Sequence, residues 1–234
     1  MKKLLSKLST VVRFFHKKLA RETILVLGDS HVTVFHNFRF MLHFPFKYFQ
    51  VVSVGGATAS GLENPRSKTQ AYNIFNDTVA KKDFDKIIIM LGEVDTGFVI
   101  WYRASKYNTT VEEMFHQAVD KYTAFISRLA ARSKLIVIST PLPTIDEKSK
   151  GEVAHARKEV KASQLDRTKL TLKFNKAIEN YCKEHHIDMI NLDNQSLGKN
   201  GLVIQELKNK IPTDHHYDAD AHAKLIISEL KKVL

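Results

Sequence analysis

The sequence predicts an α/β fold: a three-layer α/β/α sandwich around a parallel sheet of about five strands. Three observations point there. Short apolar runs at 23–27, 86–91 and 135–139 have the pattern of strands buried on both faces, with Ile87-Ile88-Ile89 the purest of them. Longer stretches with apolar residues at helical spacing separate these runs, the alternation that gives parallel sheets covered by helices. The first three strands each end in glycine and small polar residues, and open parallel sheets place their chemistry at that edge. The 234 residues fit one such domain, residues 22–234, preceded by an appendage at 1–21, with no internal repeat and no linker.

In order along the chain, Leu4, Leu5, Leu8, Val11, Val12, Phe15 and Leu19 share one helical arc, while Lys2, Lys3, Arg13, Lys17 and Arg21 lie outside it. Residues 1–21 therefore read as a basic amphipathic helix, suited to a membrane interface or to packing on the body. Charges interrupt its apolar stretch and no small-residue cleavage site precedes Thr23, which argues against a signal peptide. The first strand, 23–27, is broken by Gly28, and Asp29-Ser30-His31 follow at once. Residues 32–42 can form a helix ended by His43-Phe44-Pro45. Residues 48–54 alternate as a second strand and run into the small-residue loop Gly55-Gly56-Ala57-Thr58-Ala59-Ser60-Gly61.

A helix is expected over 68–82, then the strand 86–91 and the loop Gly92-Glu93-Val94-Asp95. Thr110 and Glu113 have the spacing of a capping box for a helix running to about Arg132. The strand 135–139 leads into Thr140-Pro141-Leu142-Pro143. Residues 144–165 are charged and poor in large apolar groups, an exposed excursion that can serve as a lid. A helix over 168–186, a fifth strand at 187–192, a weakly patterned stretch at 194–209 and a last helix over about 218–233 complete the chain, with Asp214-His215-His216-Tyr217 just before that helix.

Composition narrows the classes. With 44% hydrophobic and 26% charged residues the chain is globular, and no uncharged run approaches the ~20 apolar residues of a membrane-spanning helix. The single cysteine, Cys182, cannot close an internal disulfide, which fits a reducing, cytoplasmic setting, with peripheral contact to an anionic membrane through residues 1–21 left open. The formal net charge of +11 suits a solvated lysine-rich surface or an anionic partner such as an acidic glycan or lipid. Zinc-finger spacing, RNP-like aromatic motifs and a recognition helix are missing, so no nucleic acid is expected as a partner.

Four separated blocks carry the chemistry. Gly28-Asp29-Ser30, Gly56 with the small residues after it, Gly92-Glu93-Val94-Asp95, and Asp214 with a histidine after it each occupy a strand-end or pre-helix position. In this order they resemble the SGNH hydrolase family, also called GDSL esterases, over essentially residues 22–234. The resemblance implies a flavodoxin-like sandwich in which Ser30 is the nucleophile and Gly56 lends a backbone N–H to the oxyanion hole. Asp214 and a following histidine then supply the acid and base.

Chemistry supports that assignment. A serine hydroxyl needs a base within hydrogen-bond reach, an imidazole can take and return the proton, and a carboxylate orients the imidazole and steadies its cation. The N–H groups of Ser30 and Gly56 can face a tetrahedral oxyanion. Two departures from the family pattern stand out. The family's oxyanion-donating asparagine is replaced by Val94, and losing one such donor typically costs ~10²–10³ in rate. Arg103 and Asn108, in the loop beyond, are the candidate substitutes, and Asp95 is expected to order that loop. Family acid and base are usually separated by two residues, but here Tyr217 stands at that position; lining up the final helix puts His216 in the base's place, with His215 the alternative.

Taken alone, Asp29-Ser30 also reads as a helix N-cap and Gly55-Gly56 as a plain turn. Asp214, His215, His216, Asp218, Asp220 and His222 have metal-ligand chemistry, but they form one dense segment with no second cluster, and a serine mechanism needs no metal or other cofactor. The expected activity is hydrolysis or transfer of an acyl ester, with an O-acetyl carbohydrate favoured by the resemblance and a lipid or small ester as the alternative. Val94 keeps a weakly catalytic or non-catalytic glycan-binding protein as the reading from another class.

Overall fold

The computed structural model describes residues 16–146, 149, 155 and 160–234. Its centre is a five-stranded, all-parallel sheet in the order β2-β1-β3-β4-β5, built from β1 (Glu22–Gly28), β2 (Lys47–Ser53), β3 (Lys86–Met90), β4 (Lys134–Ile138) and β5 (Asp188–Ile190). The sequence-based strands agree with these to within a residue or two at each end.

Alternation along the strands divides the interior into two cores. Leu25, Leu27, Ile87, Ile89, Leu135 and Val137 face one layer, formed by α2 (Ala71–Lys81), α4 (Val111–Ala130) and α5 (Gln164–Glu184). Ile24, Val26, Ile88, Met90, Ile136 and Ile138 face the other, where α1 (Phe38–His43) and the terminal helix α7 (Ala219–Val233) pack. Remaining helical pieces are α3 (Ile100–Lys106) and the one-turn α6 (Asp193–Ser196). Since side chains alternate across a strand, each apolar run has to supply both layers, which is why these runs carry almost no polar residue. The chain starts in β1, moves outward to β2, then crosses back to β3. The sheet's sense reverses there, and such a switch leaves a crevice at the carboxyl ends of β1 and β3.

Four expectations are corrected. The single helix over 32–42 is two pieces: a 3-10 segment, Ser30–His36, and α1, parted at Asn37. Asn37 adopts extended backbone (φ −63°, ψ 133°) and its side chain accepts from the Arg39 N–H at 3.0 Å, so it caps a new helix instead of continuing the old one. The loop after β3 is helical: residues 93 and 94 turn into a π segment, Asp95–Val99, which runs on as α3. Arg103 therefore sits on a helix, and Asn108 lies exposed just beyond it in a left-handed conformation (φ 50°).

The helix expected from 168 starts at Gln164, because Ser163 and Asp166 form a reciprocal capping box. Its polar first turn is buried all the same: Gln164 Nε2 donates to Pro143 O at 2.8 Å and Arg167 Nη2 to Ile145 O at 2.8 Å. These bonds anchor the start of the proposed lid, of which residues 147, 148, 150–154 and 156–159 lie outside the described residues. In the weakly patterned stretch, Leu197 and Val203 pair across a tight bend, and Val203, Leu207, Tyr217 and Leu142 form a small third core. Of the N-terminal amphipathic helix, residues 1–15 lie outside the described residues and 16–19 form a helical turn.

Gly28 is where the sheet meets the chemistry. A Cβ there would lie 2.2 Å from Met90 O and 2.3 Å from Val32 Cγ1, so only hydrogen fits between β3 and the segment after β1. Gly28→Ala is expected to lower unfolding free energy by about 1–3 kcal/mol in urea denaturation. Gly55→Ala, with nothing within 4 Å of the new methyl, is expected to stay within about 0.5 kcal/mol of the parent.

Candidate active site

Ser30 opens the 3-10 segment directly after β1, and its turn is tied down on every side. Val54 N donates to Gly28 O at 2.9 Å, Ser53 Oγ to Asp29 O at 2.9 Å, and Thr33 Oγ1 to Ser30 O at 2.7 Å. Asp29 caps the segment by accepting from His31 N at 2.9 Å. The cap expected of Asp29-Ser30 is therefore present, with Asp29 as the capping residue, and Ser30 Oγ is engaged elsewhere. Burial pushes the Asp29 carboxyl up to about 6 against the opposing effect of His31.

The turn before α7 supplies its partner. His216 Nε2 lies 2.8 Å from Ser30 Oγ, and His216 Nδ1 lies 2.6 Å from Asp214 Oδ1. The same carboxylate oxygen accepts the His216 backbone N–H at 3.0 Å. This doubled contact is how one intervening residue suffices: Asp214 and His216 share an Asx-type turn, closed locally instead of across a longer loop. The turn is braced from outside by Thr144 Oγ1, which donates to His215 O at 2.6 Å, and by Leu142 N, which donates to the Tyr217 hydroxyl at 2.7 Å.

Burial and the charge of His31 hold the His216 imidazole below its ordinary value, with Asp214 pulling the other way. Asp214 is lowered in spite of its own burial, by the two hydrogen bonds from His216. At neutral pH the pair is thus a carboxylate beside a neutral imidazole. With the ring proton on Nδ1 toward Asp214, Nε2 is an acceptor for the Ser30 hydroxyl.

Gly56 has φ +71°, a conformation kept for glycine. A Cβ there would meet nothing nearer than Thr69 Cγ2 at 3.8 Å, so backbone conformation, not crowding, requires glycine, and the space beside it is open. The loop carrying Gly56 is fastened by buried Asp95, whose two oxygens accept from Ala59 N at 2.6 Å and Ser60 N at 3.1 Å. Burial raises the Asp95 carboxyl; the bonds from Ser60 and Ala59 offset part of that. Asp95 therefore joins the loops after β2 and β3. Arg103 Nη1 donates to Ser60 Oγ at 2.9 Å, bracing the same loop, and Val94 is half-exposed with no donor of its own.

Two groups missed in the sequence lie against this site. His31 is buried with its ring 4.7 Å from that of His216, and its Nε2 is 3.6 Å from buried Glu93 Oε2. His215 does not reach for Ser30: its ring packs on His216 at 4.1 Å and edge-on to His31 at 5.7 Å. The metal-like segment 214–222 disperses. Asp218 caps α7, Asp220 pairs with Asn37 and Arg39, and His222 packs on Tyr217, its imidazole pushed down to about 3 by burial. Among the described residues, the cluster with metal-ligand spacing is His31, His215 and His216.

A cleft of about 650 Å³ opens beside Asp214 and His215, walled by Thr144–Asp146 on one side and Gln205–Thr213 on the other. A smaller one of about 210 Å³ lies behind the His31 and His216 rings.

No family model matches the chain, and no curated protein matches it. Solved structures do. A GDSL-like lipase from Bacteroides thetaiotaomicron shares 16% identity at a TM-score of 0.58, covering 97% of this chain and 98% of that one. An acetyl xylan esterase shares 12% at 0.53, covering 91% and 99%. A variant acetyl-xylooligosaccharide esterase from Geobacillus shares 12% at 0.58, covering 90% and 94%. The fold is the SGNH hydrolase fold. Within this SGNH framework Ser30, Gly56, Asp95 and the Asp214–His216 turn converge on the carboxyl edge of the sheet, although up to 186 residues separate them in sequence.

If His216 acts as a base, the acidic limb of the kcat/KM profile reports its loss of a proton. Because its pKa is lowered, that limb is expected below pH 6.5, with activity falling as pH drops through it. Asp214→Asn removes the influence that raises His216, so the limb is expected to move further down while the plateau falls by ~10³–10⁴. Initial rates on a short acyl ester from pH 4 to 9 measure both.

Proposed function

We propose that the chain is a serine esterase of the SGNH type that hydrolyses or transfers an acyl ester, with an O-acetyl group on a carbohydrate as the preferred substrate. The observation that carries this is the continuous Asp214–His216–Ser30 relay, with contacts of 2.6 and 2.8 Å. In this mechanism Ser30 Oγ attacks the acyl carbonyl while His216 Nε2 takes its proton. The N–H groups of Ser30 and Gly56 hold the oxyanion, and Asp214 steadies the imidazolium. His216 returns the proton to the departing sugar hydroxyl. Water, or an acceptor hydroxyl in the case of transfer, then releases the acyl group by the same steps in reverse.

The carbohydrate preference draws on the acetyl xylan and acetyl-xylooligosaccharide esterases that share the fold. The open cleft beside His215, with Gln205, Lys208, Asn209 and Lys210 along it, supports the preference and suits a polar, anionic glycan. A fluorophosphonate probe is expected to label Ser30, and Ser30→Ala to abolish labelling and lower ester turnover by ~10⁴ or more. Folded protein that takes no label and cleaves no short ester would sink the hydrolase reading. That outcome is favoured by Val94, whose side chain gives the oxyanion nothing, and it would leave a glycan-binding protein on a hydrolase fold; retained binding of acetylated oligosaccharides would then identify it.

No described helix is long and apolar enough to cross a membrane. Peripheral attachment through residues 1–21 is part of the proposal. It is supported by exposed Leu19, Leu42 and Phe46 near the start of the sheet, with the Arg21 guanidinium 4.9 Å from the Phe46 ring. Deleting residues 1–20 is expected to reduce co-sedimentation with anionic vesicles; binding that is unchanged by the deletion, or missing from the full chain, removes this part.

A further inference from the structure

We propose that His31, His215 and His216 form a binding site for a zinc-like divalent ion, and that occupancy of this site shuts off the serine relay. One nitrogen of each ring lies within 4.8 Å of the others. Tetrahedral zinc holds imidazole nitrogens at ~2.0–2.1 Å, which places any two of them roughly 3.3 Å apart. The rings therefore have to close by little more than an ångström. His215 and His216 are half-buried, so the closure falls to the turn that carries them, moving with Asp214 as a unit, while His31 is fixed in the buried segment after β1.

The surroundings have the form of a metal site's outer layer. Asp214 is hydrogen-bonded to His216 Nδ1 at 2.6 Å, and the Glu93 carboxylate lies within ion-pair distance of His31 Nε2, at 3.6 Å. A carboxylate behind a ligating histidine fixes its orientation and raises its basicity, and His216 would ligate through Nε2 by giving up its contact with Ser30 Oγ. The local charge also favours a cation. Asp29, Glu93 and Asp95 are buried close together at the end of the sheet, so a chain with net charge +11 carries a group of buried carboxyls here. Three imidazoles with oxygen as a fourth donor suit zinc and its neighbours, whereas magnesium and calcium prefer all-oxygen sets.

Occupancy has a direct chemical consequence. His216 Nε2 is the atom that faces Ser30 Oγ, so an ion on that nitrogen stands where the shared proton stands. The imidazole lone pair is then committed to the metal, and Ser30 loses its proton acceptor. No bond is made or broken in the substrate, and a chelator restores the free base. The inhibitory half of the proposal rests on the serine-esterase reading; the binding half does not.

The test uses the full chain and His215→Asn. Zinc binding is measured by competition with a chromogenic chelator, and p-nitrophenyl acetate turnover is followed with zinc, with magnesium, and after adding EDTA. The parent is expected to hold zinc at micromolar concentrations and to lose turnover in step with occupancy. EDTA is expected to restore turnover, and magnesium to have no effect. His215→Asn is expected to bind zinc at least ~10-fold more weakly, and its turnover, taken relative to its own metal-free rate, to need correspondingly more zinc for the same loss. Cobalt in place of zinc is expected to give the intense visible bands of a four-coordinate ion in the parent alone, a readout that needs no activity. No zinc binding, equal binding by the variant, or zinc that leaves turnover unchanged or raises it, each overturns the proposal. Zinc and cobalt binding by a protein that neither cleaves ester nor takes the fluorophosphonate label keeps the metal site and refutes the esterase.

Discussion

Strand β1 is hydrogen-bonded to β2 on one edge and β3 on the other, and its residues Ile24–Leu27 are fully out of water on both faces. Strand β3 is held in the same way between β1 and β4, and Ser30 is positioned from the carboxyl end of β1. Gly28 lets the next segment turn against Met90 and Val32 without a methyl in the way. The bonds from Val54 and Ser53 lock that turn to β2, and His216 meets the hydroxyl that the turn presents. A half-buried hydroxyl and imidazole are mobile by nature; a rigid strand end is what holds them at bonding distance.

The electrostatics cut against stability. Asp29 binds its proton more tightly in the folded protein (about 6) than in the unfolded chain (near 3.8). Its contribution is thus most favourable below pH 3.8 and is lost as pH rises toward 6, so at neutral pH the ionised cap is held in place by the surrounding fold at a net cost. Asp95 shows the same direction, and its bonds to Ala59 and Ser60 only partly offset the desolvation. Carboxylates kept in unfavourable surroundings beside a serine–histidine contact are the pattern of a site shaped by its chemistry at the expense of stability.

The readable parts of the sequence were those governed by local rules. Ile87–Ile89 had no alternative to a buried strand, and Thr110 with Glu113 forms the reciprocal cap its spacing requires. Ser30 and the Asp214–His216 turn, which the structure brings to bonding distance, stood out because one follows a buried strand and the other precedes the last helix. The missed features depend on distant partners. Asn37 splits a helix because its side chain caps the next one and reaches Asp220 on α7. Gln164 and Arg167 look like surface residues until the carbonyls of Pro143 and Ile145 are brought to them. His31 looked ordinary because the rings it touches are more than 180 positions away, and no spacing rule spans that distance.

Asp214 and His216 share one turn, with both the ring and the backbone of His216 bonded to a single oxygen of Asp214. They therefore travel as a unit. Drift of the sheet, or remodelling of the 205–213 wall that leads into the turn, would carry the two together and leave their bond intact; the weak joint is the contact between this unit and Ser30. Injury to the scaffold would thus show itself as a Ser30 hydroxyl out of step with a His216 ring that Asp214 still holds in place.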